Sequence, residues 1–247
     1  MQGNQQQAYD RGSTIFSPDG RLYQVEYARE AVKRGSPTVG VRTSEGVVLV
    51  AAGRTRSSLQ VPESVEKIHE ADAHVGIATA GHAADGRRLV DVARREAQVE
   101  RLRYDQPVGV ETLTKTVTDH VQERTQTGGA RPYGAALLVG GVDGGPGGTP
   151  RLFETDPSGT PYEWRAVAIG GDSGEIRDYL EAEFDADLSL DEGVDLALSA
   201  LAESGDGGLD PRSTSAATVP VETGEYERTS VGTIRERVEA LGLDTAS

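Results

Sequence analysis

The sequence predicts a layered domain that mixes helices with strands, on three observations. Apolar runs short enough for strands fall at 38–41, 47–51, 75–80, 135–139, 152–155, 166–169 and 216–221, and each is bounded by polar or glycine-rich sequence. Longer stretches between them space their apolar residues at helical intervals. The order that results, a leading helix and then β, αα, β, αα, β, α, shows no G-x-G-x-x-G after a strand and no P-loop, so the layers are not those of a nucleotide-binding sheet.

The elements follow in order. Ser17-Pro18-Asp19-Gly20 is turn chemistry, because Pro presets φ and Asp and Gly tolerate a reversal. A helix over about 21–34 comes next, with Leu22, Val25, Glu26 and Arg29 on one face. Thr43-Ser44-Glu45-Gly46 turns the first hairpin. Leu89, Val92, Ala93 and Ala97 mark a helix in a charged background. Val110, Leu113, Val117 and Val121 mark another, although alternating threonines leave a strand as a second reading there. Residues 140–150 form a Gly-rich loop between strands; it opens no helix and holds no Lys, so it is no phosphate cradle. Asp172-Ser173-Gly174-Glu175 reads as a cap before a helix that turns Ile176, Leu180 and Phe184 inward. Leu190, Val194, Ala197, Leu198 and Leu201 mark the next helix, and Val231, Ile234, Val238 and Leu241 the last.

Bulk composition narrows the function. A chain of 247 residues can bury a substantial core. It has no cysteine, which excludes disulfides and thiolate metal sites. Its polar start lacks the apolar region of a signal peptide, and no apolar run approaches the ~18 residues that span a bilayer. The expected address is cytoplasmic, with no membrane partner. A net charge of −15 argues against nucleic acid, whose binding rests on neutralised phosphates. Lys33, Lys67 and Lys115 are the only lysines. Acidic surplus with scarce Lys resembles proteins of salt-loving archaea, and at molar salt like surface charges hardly repel. His69, His74, His82 and His120 show no metal-ligand spacing. No cofactor or metal is expected.

Residues 8–34, AYDRGSTIFSPDGRLYQVEYAREAVKR, are the most particular stretch. They resemble the N-terminal signature of proteasome α subunits, the non-catalytic outer rings of the core proteasome, and the archaeal members most of all. Further segments resemble the same family in the same order: Ser64-Val65-Glu66-Lys67-Ile68, then Thr79-Ala80-Gly81 with Ala83-Ala84-Asp85, then 128–134 (GGARPYG), then 151–159 (RLFETDPSG). The resemblance implies an α+β fold, a four-layer αββα sandwich of the N-terminal-nucleophile hydrolase type. It divides the chain into a mobile gate segment at 1–12 and a single proteasome-type domain at 13–247. It also implies partners: other α subunits in a seven-membered ring, proteasome β subunits, an ATPase regulatory complex and unfolded protein substrates.

Catalytic siblings of this fold use an N-terminal threonine, a tuning Lys and an Asp behind it. By register the nucleophile position falls at Ser36. Cleavage there would discard the signature, the carboxylate position falls at Ala51-Ala52, and Pro37 restricts Ser36. No catalytic residue is therefore expected, and a β-type hydrolase processed at Ser36 is the alternative. The resemblance assigns Tyr9, Asp10, Pro18 and Tyr27 to the gate. It assigns Lys67, Gly81, Gly20, Arg21, Leu22 and Glu26 to a pocket between neighbouring copies that takes a regulator's C-terminal carboxylate, with Gly81 admitting the docked backbone. Arg131, Pro132 and Tyr133 are expected beside the N-terminus of a neighbouring copy.

Overall fold

The computed structural model describes residues 15–55, 57, 59–203 and 208–243. Two five-stranded antiparallel sheets form its centre. The first runs β10-β9-β2-β1-β8 and the second β3-β4-β5-β6-β7. Strands of the first are β1 (Thr38–Thr43), β2 (Gly46–Ala52), β8 (Ala166–Ile169), β9 (Thr214–Pro220) and β10 (Glu227–Arg228). Those of the second are β3 (Ile68–Asp72), β4 (Val75–Gly81), β5 (Ala135–Asp143), β6 (Thr149–Thr155) and β7 (Pro161–Glu163). The helices are α1 (Tyr23–Lys33), α2 (Ala83–Tyr104), α3 (Val110–Gln126), α4 (Ser173–Glu183), α5 (Leu190–Glu203) and α6 (Val231–Leu241).

The near-continuous apolar sequence of β2 follows from burial on both faces, and its alternate residues serve different layers. Val48 and Val50 meet α4, α5 and α6, in a cluster with Ile176, Leu198, Leu201 and Ile234. Val47, Leu49 and Ala51 face the opposite sheet, against Ala78, Leu138 and Leu152. In β5, Leu137 and Val139 meet α2 and α3, with Leu89, Leu113 and Val117, while Ala136 and Leu138 join the layer between the sheets. Three buried clusters separate four layers, α, β, β and α: the αββα sandwich is the observed fold.

Several elements depart from the sequence reading. Residues 110–126 are the helix that the apolar spacing marks, and the second reading as a strand falls away. The buried threonines that blurred the periodicity turn their hydroxyls back to helical carbonyls, Thr114 Oγ1 to Val110 O at 2.8 Å and Thr125 Oγ1 to Gln122 O at 2.7 Å. β5 runs through Gly140 and Gly141 to Asp143. These strand positions are glycine because a Cβ at Gly140 would stand 2.6 Å from Val47 Cγ1, and one at Gly141 2.5 Å from His74 O; the loop proper is shorter than 140–150. Asp172 precedes α4 in the left-handed region, φ 54°, and makes no side-chain cap. α1 buries Val25, Ala28 and Val32, rather than Leu22 and Glu26, on its inner face. In α6, Ile234 and Val238 are buried while Leu241 is exposed. β3, β7 and β10 are short, charged or proline-led strands at sheet edges, where unpaired backbone is best kept blunt; such strands lack the apolar runs that mark the central ones. Among the described residues no helix is long and apolar enough to cross a membrane.

Candidate functional site

Three glycines set the ground plan where α1 meets the end of β4. A Cβ at Gly35 would stand 2.3 Å from Gly81 N, and one at Gly81 2.4 Å from Gly134 O. Gly81 also holds φ +104°, which favours glycine. Its being glycine is thus accounted for inside the chain, before any docked peptide is considered. This backbone contact leaves a cleft of about 620 Å³ beside it, lined by Arg34, Arg54, Glu66, Lys67, Gly81 and His82 among others. Two guanidiniums, the Lys67 amine and one carboxylate line it, in a chain of net charge −15. It is a local reversal of charge, and the start of α2 at Ala83 and Ala84, also on its wall, adds the positive end of a helix dipole.

Lys67 enters this cleft from the segment before β3, its carbonyl held by Thr79 N at 2.9 Å. Its ammonium donates to Ser36 O at 2.6 Å, Ser36 Oγ at 3.0 Å, Ala52 O at 3.0 Å and Pro37 O at 3.1 Å. Burial lowers its pKa to about 7. Ser36, the position to which register assigned the nucleophile, therefore meets Lys67. What stands behind them is the Ala52 carbonyl, where a catalytic site would have a carboxylate. Ser36 sits within the chain: Gly35 N bonds Val32 O at 2.9 Å, and Gly171 N bonds Gly35 O at 2.7 Å.

The remaining residues separate. Gly20, Arg21, Leu22 and Glu26 are not among the residues lining this cleft in one chain. Gly20 closes the Ser17 turn with φ +78° and donates to Ser17 O at 2.8 Å. Glu26 and Asp156 both take the Arg29 guanidinium, at 2.8 and 2.7 Å, which fastens α1 to the turn between β6 and β7. Pro18 and Tyr27 are exposed. Tyr9 and Asp10, with the segment 1–12, lie outside the described residues.

The 128–134 loop is fastened within its own chain. Pro132 and Tyr133 are buried in their own chain, with Tyr133 under Arg124 and its hydroxyl 3.1 Å from His120 Nε2. Arg131 turns its fork onto Asp85 at 2.6 and 2.8 Å. Burial pushes the Asp85 carboxyl up, but Arg131 and the Gly134 N–H overrule it and hold it below the ordinary range. Turn and ring are therefore internal fittings, and the fork has an internal partner. Sequence reasoning missed Asp85 as that partner, although a carboxylate in the first turn of an amphipathic helix was a signal. Among the described residues no group of His, Cys, Asp and Glu could hold a metal.

A four-layer sandwich with a lysine reaching the start of β1 places the chain in the N-terminal-nucleophile hydrolase class of folds. Residues 32–219 match the family model of proteasome subunits, and residues 9–31 match the model of the N-terminal signature of A-type proteasome subunits. The chain is 63% identical over 244 residues to the proteasome alpha 1 subunit of Haloferax volcanii, covering 98% of this chain and 96% of that protein. It is 66% identical over 224 residues to the proteasome alpha 1 subunit of Haloarcula marismortui, covering 90% and 85%. With the proteasome alpha subunit of Halobacterium salinarum it shares 63% over 227 residues, covering 92% and 88%. The chain belongs to the proteasome subunit family and carries its A-type N-terminal signature.

Proposed function

We propose that this chain is a non-catalytic α-type ring subunit of a core proteasome, working in the cytoplasm. There it assembles with its own kind in a seven-membered ring, stacks on β subunits, gates the passage of unfolded protein and docks an ATPase regulator. The observation that carries this reading is the match of residues 9–31 to the A-type signature, which cleavage before Ser36 would remove. The reversed charge around Lys67 supports docking of a carboxylate there. Gly20, Arg21, Leu22 and Glu26 would border the same pocket only when supplied by a neighbouring copy. Exposed Pro18 and Tyr27 suit a gate cluster shared between neighbours with Tyr9 and Asp10. Of Arg131, Pro132 and Tyr133 only Arg131 has the exposure to reach a neighbour, and it would do so while holding Asp85.

The alternative, a β-type hydrolase processed at Ser36, draws on the 3.0 Å contact between Lys67 Nζ and Ser36 Oγ. Native mass spectrometry at molar salt, with partner chains identified, separates the readings. A ring component is expected in a large assembly with residues before Ser36 present; a chain beginning at Ser36 overturns the proposal. Within the assembly, Lys67→Ala is expected to abolish regulator-stimulated degradation and to spare peptide hydrolysis by the β sites.

A further inference from the structure

An ammonium has three N–H bonds, and Lys67 Nζ has four oxygens within reach. None of the four is charged. Three are backbone carbonyls, of Ser36, Pro37 and Ala52, held where α1 passes into β1 and where β2 ends. The fourth, the Ser36 hydroxyl, is the one that can rotate. An incoming anion can therefore displace it without stripping a backbone carbonyl of its donor, the costly outcome in a half-buried site. Once displaced, the hydroxyl has its own hydrogen to give. Ser36 lines the same cleft as Lys67, so that hydrogen has somewhere to point.

We propose that Ser36 and Lys67 form a two-point carboxylate site, in which the Ser36 hydroxyl accepts from Lys67 while the cleft is empty and donates to the carboxylate when it is filled. This rests on the docking reading above and adds a second ligand to it. It also states the charge the site needs. The carboxylate pairs with the ammonium and not with the free amine. With burial holding Lys67 near 7, affinity is level below that pH and falls about tenfold for each pH unit above it, as binding comes to require uptake of a proton. The charged groups facing the cleft are Arg34 from the end of α1, Arg54 after β2, Glu66 before β3 and His82 ahead of α2. His82→Gln is the control for the one histidine among these.

The chain's three lysines make the test direct. The full-length protein, labelled with ¹³C at lysine Cε and kept at molar KCl, is titrated by NMR with N-acetyl-Ala-Tyr-Ala carrying a free C-terminal carboxylate, and with its C-terminal amide. One lysine signal, absent in Lys67→Arg, is expected to titrate near pH 7 and to shift upward with the carboxylate peptide but not the amide. Ser36→Ala is expected to weaken the carboxylate peptide about tenfold, the worth of one charge-assisted hydrogen bond, and Ser36→Thr to retain it. Unchanged binding in Ser36→Ala, or affinity flat from pH 6.5 to 8.5, overturns the proposal and leaves docking at Lys67 standing. The pH arm needs no variant at Ser36, so misfolding of Ser36→Ala does not shelter the idea. Absence of carboxylate-dependent binding at every pH overturns this site and the docking reading together.

Discussion

Two cations are fastened near the end of β4, and they are satisfied in opposite ways. Arg131 lays a planar fork on the Asp85 carboxylate, two bonds to one anion, with the Gly134 N–H completing the set. Lys67 spreads a compact ammonium over neutral oxygens of Ser36, Pro37 and Ala52. The first arrangement is complete: charge is cancelled where it sits, and the loop is locked to the helix. The second satisfies hydrogen bonds and leaves charge uncancelled in a desolvated place. The difference teaches which cation is structural and which is available. A guanidinium suits the first task because its fork matches a carboxylate, and an amine suits the second because its proton can be held loosely.

Breaking the closed corner is expected to have the largest effect. Asp85→Ala removes the acceptor of three hydrogen bonds at a buried position and is expected to cost about 3 kcal/mol in urea unfolding at molar KCl. A loss well under 1 kcal/mol would show that the corner is slack and the contrast false. The contrast sharpens with pH. Asp85 sits below its ordinary 3.8, so its contribution is full above that value and is lost as pH falls through the lowered folded one. Lys67 lies near 7 against an ordinary 10.5. Between those values the unfolded chain holds a proton that the folded chain has released, so stability rises with pH. Wild type is expected to gain on Lys67→Met from pH 7 to 10, read from denaturant midpoints; parallel curves would mean that the amine is an ordinary lysine. The smallest effect is expected for Arg131→Ala, about 1 kcal/mol, because that side chain is 58% exposed and water can replace its fork.

The same pair shows what could be read from the sequence. The helices with repeated apolar spacing and the central strands were legible, because each depends on side chains that leave a pattern. The oxygens around Lys67 were not, since three of them are backbone carbonyls, which every residue type carries. The internal partner of the loop at 131–133 was missed for a related reason. A guanidinium, a proline and a phenol look like an offer to a partner until the fold supplies Asp85, 46 residues away in sequence, and buries the ring. The edge strands were missed because keeping an edge blunt removes the apolar alternation by which a strand is recognised.

The stacked glycines at 35, 81 and 134 have a consequence for how this chain can change over generations. None has a side chain to lose, and none holds a charge or a proton. Yet a single methyl at Gly35 or Gly81 would fall within 2.4 Å of backbone atoms, which have no rotamer by which to retreat. Drift at either position is therefore closed by single steps, whatever its neighbours do. A saturation scan for folded protein should find these two among the least tolerant sites of the chain. Gly134, whose added methyl would meet Ala31 Cβ at 3.2 Å, should open only to variants that also trim α1 at that point.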